Sequence, residues 1–300
     1  MTQAADSGRP FGRLLTAMVT PMKADGSLDV DGAAKLAAYL VDEQRNDALV
    51  INGTTGESPT TTDAEKETLI RTVVETIGDR ARVVAGVGTN DTHHTIELAR
   101  SAEKAGAHGL LVVTPYYNKP PQAGLIRHFT AVADATGLPM LVYDIPHRAG
   151  IAIETETLCR LAEHDRIVGV KDAKGQLAES SWVMRRTGLA FYSGDDPLTL
   201  SLLAIGGVGV VGTSTHLTGA GTKEMIESYE RGDVAGALRL HQQLLPLFTG
   251  IFRAPGTILV KAAMNVRGLP AGPVRSPLVD ATEAQVVQLR TDAADAGLSL

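Results

Sequence analysis

The sequence predicts a (β/α)8 barrel of the TIM type, extended at its C-terminus by three helices. Three observations predict it. Short β-branched runs recur eight times between residues 14 and 212, helical periodicity fills most of the gaps between them, and after Gly232 the strands stop. The runs are apolar nearly throughout instead of alternating, which is the pattern of parallel strands covered on both faces. An open doubly wound sheet shares that pattern, since periodicity does not report closure. Eight units within about two hundred residues favour the barrel.

The strand runs are 14–20, 48–54, 82–88, 109–115, 139–145, 167–173, 190–194 and 207–212. Helical patterns occupy 30–44, 64–77, 92–104, 122–136, 153–163 and 177–186. Asp63 ahead of Ala64-Glu65-Lys66 reads as a helix start, as does Asp91-Thr92, whose helix ends near Gly106. Residues 197–222 carry no formal charge, but Gly206, Gly207, Gly209 and Gly212 interrupt them. A membrane span needs about twenty apolar residues in one element, so this stretch reads as a buried helix followed by a buried strand. Segments 234–248, 257–264 and 282–294 are helical with no strand between them. We divide the chain accordingly into a barrel, 1–232, and a helical extension, 233–300.

Composition narrows the function classes. A chain of 300 residues buries a sizeable core without disulfide help. Its net charge is −6 and no run of lysines and arginines marks a nucleic-acid or anionic-membrane face. The single cysteine, Cys159, sits in the helical pattern Leu158-Cys159-Arg160-Leu161-Ala162, where it packs and cannot form an internal disulfide. That fits a reducing compartment. Residues 1–10 are polar and lack the apolar stretch of a signal peptide, so they read as a loose terminus of a cytoplasmic protein.

Chemistry in such a barrel gathers at the carboxyl ends of the strands, where the βα loops lie. The sixth run, Ile167-Val168-Gly169-Val170-Lys171-Asp172-Ala173, ends in a lone amine. If Val168 and Val170 face the helices, Gly169 and Lys171 point into the barrel, and Asp172 points away from the amine. A lysine ending a strand in solvent would need no function. One desolvated by apolar walls loses its proton more readily and becomes a nucleophile toward carbonyl carbon. With Asp172 turned away, desolvation is the expected cause of that depression. The second run ends in Asn52-Gly53-Thr54-Thr55-Gly56-Glu57-Ser58, a tight turn of hydroxyls and amides suited to a carboxylate, though threonine caps alone would look the same. The fourth ends in Thr114-Pro115-Tyr116-Tyr117-Asn118-Lys119-Pro120 and the fifth in Tyr143-Asp144-Ile145-Pro146-His147-Arg148-Ala149-Gly150. Three of the six tyrosines thus fall at two strand ends. Tyrosine hydroxyls pass protons, and the planar fork of Arg148 grips a carboxylate. An amine, hydroxyl relays and a carboxylate anchor on one rim suit imine chemistry on a 2-keto acid.

These segments, with Ser193-Gly194-Asp195-Asp196, resemble in order and over nearly the whole chain the dihydrodipicolinate synthase family of the class I aldolase superfamily, which includes N-acetylneuraminate lyase. The Tyr-x-x-Pro-x-Arg loop and Gly-x-Lys strand mark the superfamily. The Thr-Thr-Gly-Glu-Ser turn with Tyr-Tyr-Asn points to the synthases. The resemblance implies that Lys171 forms a Schiff base with pyruvate, whose enamine attacks L-aspartate semialdehyde to give 4-hydroxy-tetrahydrodipicolinate, a lysine and diaminopimelate precursor. It implies a proton relay of Tyr143, Thr54 and Tyr117, the last reaching in from a neighbouring subunit of a homotetramer built as a dimer of dimers. Arg148 would bind the semialdehyde carboxylate, Thr55 would hold pyruvate, and Gly194 and Val211 would border the substrates. No metal or organic cofactor is implied.

The chain departs from the resemblance at one place. Lysine-inhibited members carry histidines after the Thr-Thr-Gly-Glu-Ser turn and an acid in the next region, whereas the matching positions here are Asp63, Lys66 and His94. A cation at Lys66 repels the ammonium groups of lysine, so inhibition is expected to be weak or absent, although Ser58, Asn90 and Tyr116 still match.

Other signals carry less. Gly207-Val208-Gly209-Val210-Val211-Gly212 has the letters of a dinucleotide fingerprint but lies within a strand run, without the strand-to-helix turn that motif needs. His93-His94 on a helix point different ways, which suits a surface role and not a metal. Asp195 and Asp196 are read as structural. Two other functions stay open: a 2-keto-3-deoxy sugar-acid aldolase of the same superfamily, and a keto-acid-binding protein that has kept the fold.

Overall fold

Parallel strands β1 (Leu14–Ala17), β2 (Ala48–Ile51), β3 (Arg82–Gly86), β4 (Gly109–Val113), β5 (Met140–Asp144), β6 (Ile167–Asp172), β7 (Ala190–Ser193) and β8 (Gly209–Gly212) pair in chain order, and β8 pairs with β1. The sheet is a closed barrel, which excludes the open alternative. These positions come from a computed structural model that describes residues 8–300, so the loose terminus expected over 1–10 falls mostly outside the described residues.

Helices α1 (Val30–Asp42), α2 (Asp63–Ile77), α3 (Thr92–Lys104), α4 (Gln122–Asp134), α6 (Thr155–Leu161), α7 (Leu177–Arg186), α8 (Thr199–Ala204) and α9 (Thr215–Glu230) connect or follow the strands, and the one-turn helix α5 (Pro146–Ala149) caps β5. The start of α2 differs from expectation. Thr62, not Asp63, is the N-cap: its hydroxyl accepts from Glu65 N while the Glu65 carboxylate accepts from Thr62 N, a reciprocal capping box. Asp91 caps α3 as expected, accepting from His93 N. The longest barrel helix, α9, runs well past the uncharged stretch that ends at Thr222. Its Thr218-Gly219-Ala220-Gly221 segment has low helix propensity and hides the periodicity.

Apolar side chains separate into an interior and an outer layer. Leu15, Ala17, Val50, Leu111, Leu141 and Tyr192 fill the barrel, while Leu49, Ile51, Val83, Val142 and Val170 pack under the helices. β6 breaks the simple alternation at its start. Met140 pairs with Ile167 but Leu141 pairs with Gly169, so the register slips by one residue. Ile167 therefore joins the helix-facing core and Val168 packs against the barrel interior, reversing the expected direction of Val168. From Gly169 onward the alternation is as read, with Val170 outward and Lys171 inward.

Past the barrel, α10 (Val234–Gly250), α11 (Gly256–Val266) and α12 (Glu283–Asp295) form the helical extension. α10 packs along α9, and α12 closes over α10 and α11. The N-terminal half of α11 reaches the carboxyl rim of the barrel: Thr257 Oγ1 donates to Thr55 O (3.1 Å), and Lys261 Nζ lies 2.5 Å from Glu57 Oε1. Among the described residues no helix is long and apolar enough to cross a membrane.

Candidate active site

Lys171 ends β6 inside the barrel mouth and is only 5 % exposed. Its backbone is held in ladder register between Tyr143 on β5 and Tyr192 on β7. The ammonium lies 4.1 Å from the centre of the Tyr143 ring. Burial brings the Lys171 pKa down from 10.5 to about 8; Asp196 opposes the drop and Arg148 adds to it. A shift of that size disfavours the charged amine by about 3 kcal/mol. Asp172 does not contribute, because it faces outward and accepts from Ser180 Oγ and Lys174 N. Desolvation leads, as the strand parity predicts.

Two adjoining cavities of about 210 and 390 Å³ open around this amine. Both are bordered by Thr54, Tyr143, Ile145, Arg148 and Lys171. The first continues beneath β2, β3 and β4 to Asn52, Ser58 and Tyr116; the second runs past Thr55, Gly194 and Asp195 toward Phe252 and Thr257. Glycine is required at the floor of the second. A Cβ on Gly194 would lie 3.1 Å from Lys171 Cγ and 2.9 Å from Ala173 Cβ, narrowing the approach to the amine. Gly169, one layer down, has β7 against it: a Cβ there would meet Ala190 O at 2.4 Å.

The remaining side chains expected at the rim are placed as follows. Tyr143 is buried and desolvation pushes its phenol well above the usual range, so it holds its proton until a base or a developing charge takes it. Thr55 is buried with its hydroxyl 3.3 Å from Thr213 Oγ1, and Thr54 stands at the lip of both cavities. Arg148 projects from α5 over the same opening. Val211 is buried in the barrel interior and borders neither cavity. Tyr117 also borders neither: it is 87 % exposed, with φ at 74°, on the loop after β4. A non-glycine residue in that region costs about 1–3 kcal/mol, which the surrounding loop must hold.

Other residues border the site or hold it besides those expected to line it. Asp196, read as structural, is completely buried and accepts from Thr213 N, Ser214 N and Ser214 Oγ, so it fixes the turn after β8. Through that turn it orients Thr213 toward Thr55. Thr213 follows directly on β8, and the rule that strand ends carry chemistry would have found it. Tyr116 joins the first cavity, and burial raises its phenol. Thr257 and Phe252 arrive from the helical extension, where no local pattern points to the barrel mouth. His93 and His94 stay at the surface, paired with Glu97 and Asp63 respectively. Neither Gly207 nor Gly209 opens a helix; Gly209 starts β8.

Comparison with known proteins agrees with this geometry. The profile of the Dihydrodipicolinate synthetase family matches residues 10–296. A 4-hydroxy-tetrahydrodipicolinate synthase of Acidothermus cellulolyticus is 70 % identical over 290 residues, covering 97 % of this chain and 94 % of that one. Among solved structures, DHDPS from Cyanidioschyzon merolae with lysine bound superposes with a TM-score of 0.94 at 43 % identity, covering 97 % of this chain and 99 % of that one. A monomeric dihydrodipicolinate synthase variant superposes with a TM-score of 0.92 at 36 % identity, covering 96 % and 98 %. With its profile match running from four residues before β1 to just past α12 and its amine at the mouth of a closed barrel, the chain belongs to the dihydrodipicolinate synthetase family.

Proposed function

We propose that Lys171 carries this chain's chemistry as a Schiff-base nucleophile for pyruvate. The activity itself is the family's: condensation of pyruvate with L-aspartate semialdehyde to 4-hydroxy-tetrahydrodipicolinate, a lyase-class step of lysine and diaminopimelate biosynthesis. The observation that carries the assignment of Lys171 is its burial at the mouth of two cavities, with a pKa near 8. At neutral pH a useful fraction of the amine is unprotonated and can attack the keto carbon. The imine forms with loss of water, and its carboxylate is received by the Thr54-Thr55 turn and its amides. Loss of a methyl proton gives the enamine, whose carbon adds to the semialdehyde carbon. The new alkoxide takes a proton from the relay through Tyr143, Thr54 and Tyr117. The semialdehyde's own amino group then adds to the imine carbon and expels Lys171, closing the ring. Arg148, over both cavities, holds the semialdehyde carboxylate.

Tyr117 supports an assembly proposal. Exposed and bordering neither cavity of its own chain, it serves as the relay's outer member in a second copy's cavity, within a homotetramer made of two such dimers. No metal or organic cofactor enters the steps, since the imine nitrogen is the electron sink. We place the enzyme in the cytoplasm, in line with its lone cysteine and its biosynthetic role. The test is turnover with two aldehyde classes. We expect pyruvate with L-aspartate semialdehyde to give product and 2-keto-3-deoxy sugar acids to give none. Cleavage of the sugar acids with no use of the semialdehyde would overturn the reading.

A further inference from the structure

The turn after β2 is held by a buried ion pair that lies outside both cavities around Lys171. Glu57 and Lys261 have side chains 1 % and 2 % exposed and lie 2.5 Å apart. Neither borders the two cavities around Lys171. Glu57 sits in the turn itself with φ at 58°, and Asn52 opens the same turn with φ at 61°. Two non-glycine residues in the left-handed region persist only where their surroundings over-determine them.

Those surroundings come from the far end of the chain. Glu57 Oε2 accepts from Arg275 N (2.7 Å), while Lys261 Nζ donates also to Pro273 O (2.7 Å). One turn earlier on α11, Thr257 Oγ1 donates to Thr55 O (3.1 Å). The helical extension therefore grips the turn twice, at the Thr55 carbonyl and at the Glu57 side chain just past the Thr54-Thr55 pair. Burying two full charges is a poor way to gain stability, because their desolvation cancels much of their attraction and an apolar pair of similar volume often does as well. What a paired, hydrogen-bonded carboxylate supplies is direction.

We propose that Glu57 and Lys261 are positioning residues for pyruvate: their ion pair, with Thr257, sets the orientation of the Thr54-Thr55 turn that receives the keto-acid carboxylate. The inference rests on the reading of Thr55 as part of the pyruvate site. The helical extension then contributes to substrate affinity without a charged group in the cavity.

The experiment follows imine formation directly, by borohydride trapping across a pyruvate series, so that the semialdehyde is not needed. In the wild-type protein, trapping on Lys171 establishes the underlying reading; no adduct there would remove that reading and the inference with it. The double variant Glu57→Gln with Lys261→Met removes both charges at nearly constant shape and keeps an acceptor for Arg275 N. We expect its Tm to stay near wild type while half-saturation by pyruvate rises at least about tenfold and the maximal trapping rate falls little, the split that loss of binding orientation gives. Unchanged half-saturation in the folded double variant, with the wild type still trapped, would overturn the inference and leave the lysine assignment standing. If the double variant does not fold, Thr257→Val decides: it keeps every charge and loosens the same turn, and a rise of about threefold supports the inference while no rise overturns it.

Discussion

The two halves of the site are built differently. Lys171 and Tyr143 are strand residues, held in register by the β5–β6 ladder and buried to 5 % exposure each. Thr54, Tyr117 and Arg148 stand on loops and a one-turn helix, and a hydroxyl from α11 reaches the backbone of Thr55 beside Thr54. Burial in the strand half lowers the amine's pKa and raises the phenol's. On the proposed mechanism the strand half supplies reactivity and the loop half recognition, which ties reactivity to the strands and recognition to the rim.

Substitutions can test that division. The largest effect is expected in the strand half. Lys171→Ala should lower kcat by about 10³-fold or more while the fold survives; retention of near wild-type turnover in a coupled assay would contradict it. Tyr143→Phe and Tyr117→Phe should each lower kcat by about 10²-fold through loss of proton transfer. If Tyr117 acts in a second copy, mixing impaired Tyr117→Phe with inactive Lys171→Ala subunits should raise activity above the sum of the two, and no rise would argue for action within one chain. In the recognition half, Arg148→Ala should raise the KM for the semialdehyde by about tenfold or more and leave pyruvate trapping unchanged. A loss of trapping instead would move Arg148 into the pyruvate site.

A smaller effect concerns pH. The free amine is the reactive form, so the trapping rate should be low well below pH 8 and rise as pH passes through about 8. A rate that is flat from pH 6 to 9, taken as round values about that pKa, would mean the amine is not depressed. The smallest effect is an absence. Lys66 donates to Thr61 O (2.5 Å) and lies 3.8 Å from Asp63, which also pairs with His94 at 2.9 Å. The acid nearest this place is thus already engaged by two basic side chains. Activity should persist in sub-millimolar lysine, and inhibition there would show that Ser58, Asn90 and Tyr116 suffice.

The same division governs what could be read from the sequence. Strand ends are local: eight apolar runs, the inward parity of Lys171 and the order of the loops all follow from period-two reasoning. Even there a one-residue register slip at Leu141 and Gly169 reversed Val168, because a bulge leaves no mark in composition. The cap of α2 lies one residue before the expected Asp63 for a related reason, since Thr62 and Asp63 are both good caps and only the reciprocal bond to Glu65 decides. The contributions of Thr257, Lys261 and Phe252 were not legible. Thr257 lies 202 residues from the Thr55 it bonds, Phe252 reaches the second cavity from the same extension, and an ordinary helical pattern does not say which loop it will cover. Asp196, read as structural, is structural: it accepts three donors from the turn after β8, a contact between the ends of the neighbouring strands β7 and β8.

The most direct measurement is reductive trapping. The protein is treated with pyruvate and sodium borohydride, digested, and the peptide spanning Lys171 is weighed. The account predicts a mass increase of one reduced pyruvate on that peptide and on no other. An unmodified Lys171 peptide, or an adduct carried by a different lysine, would contradict it.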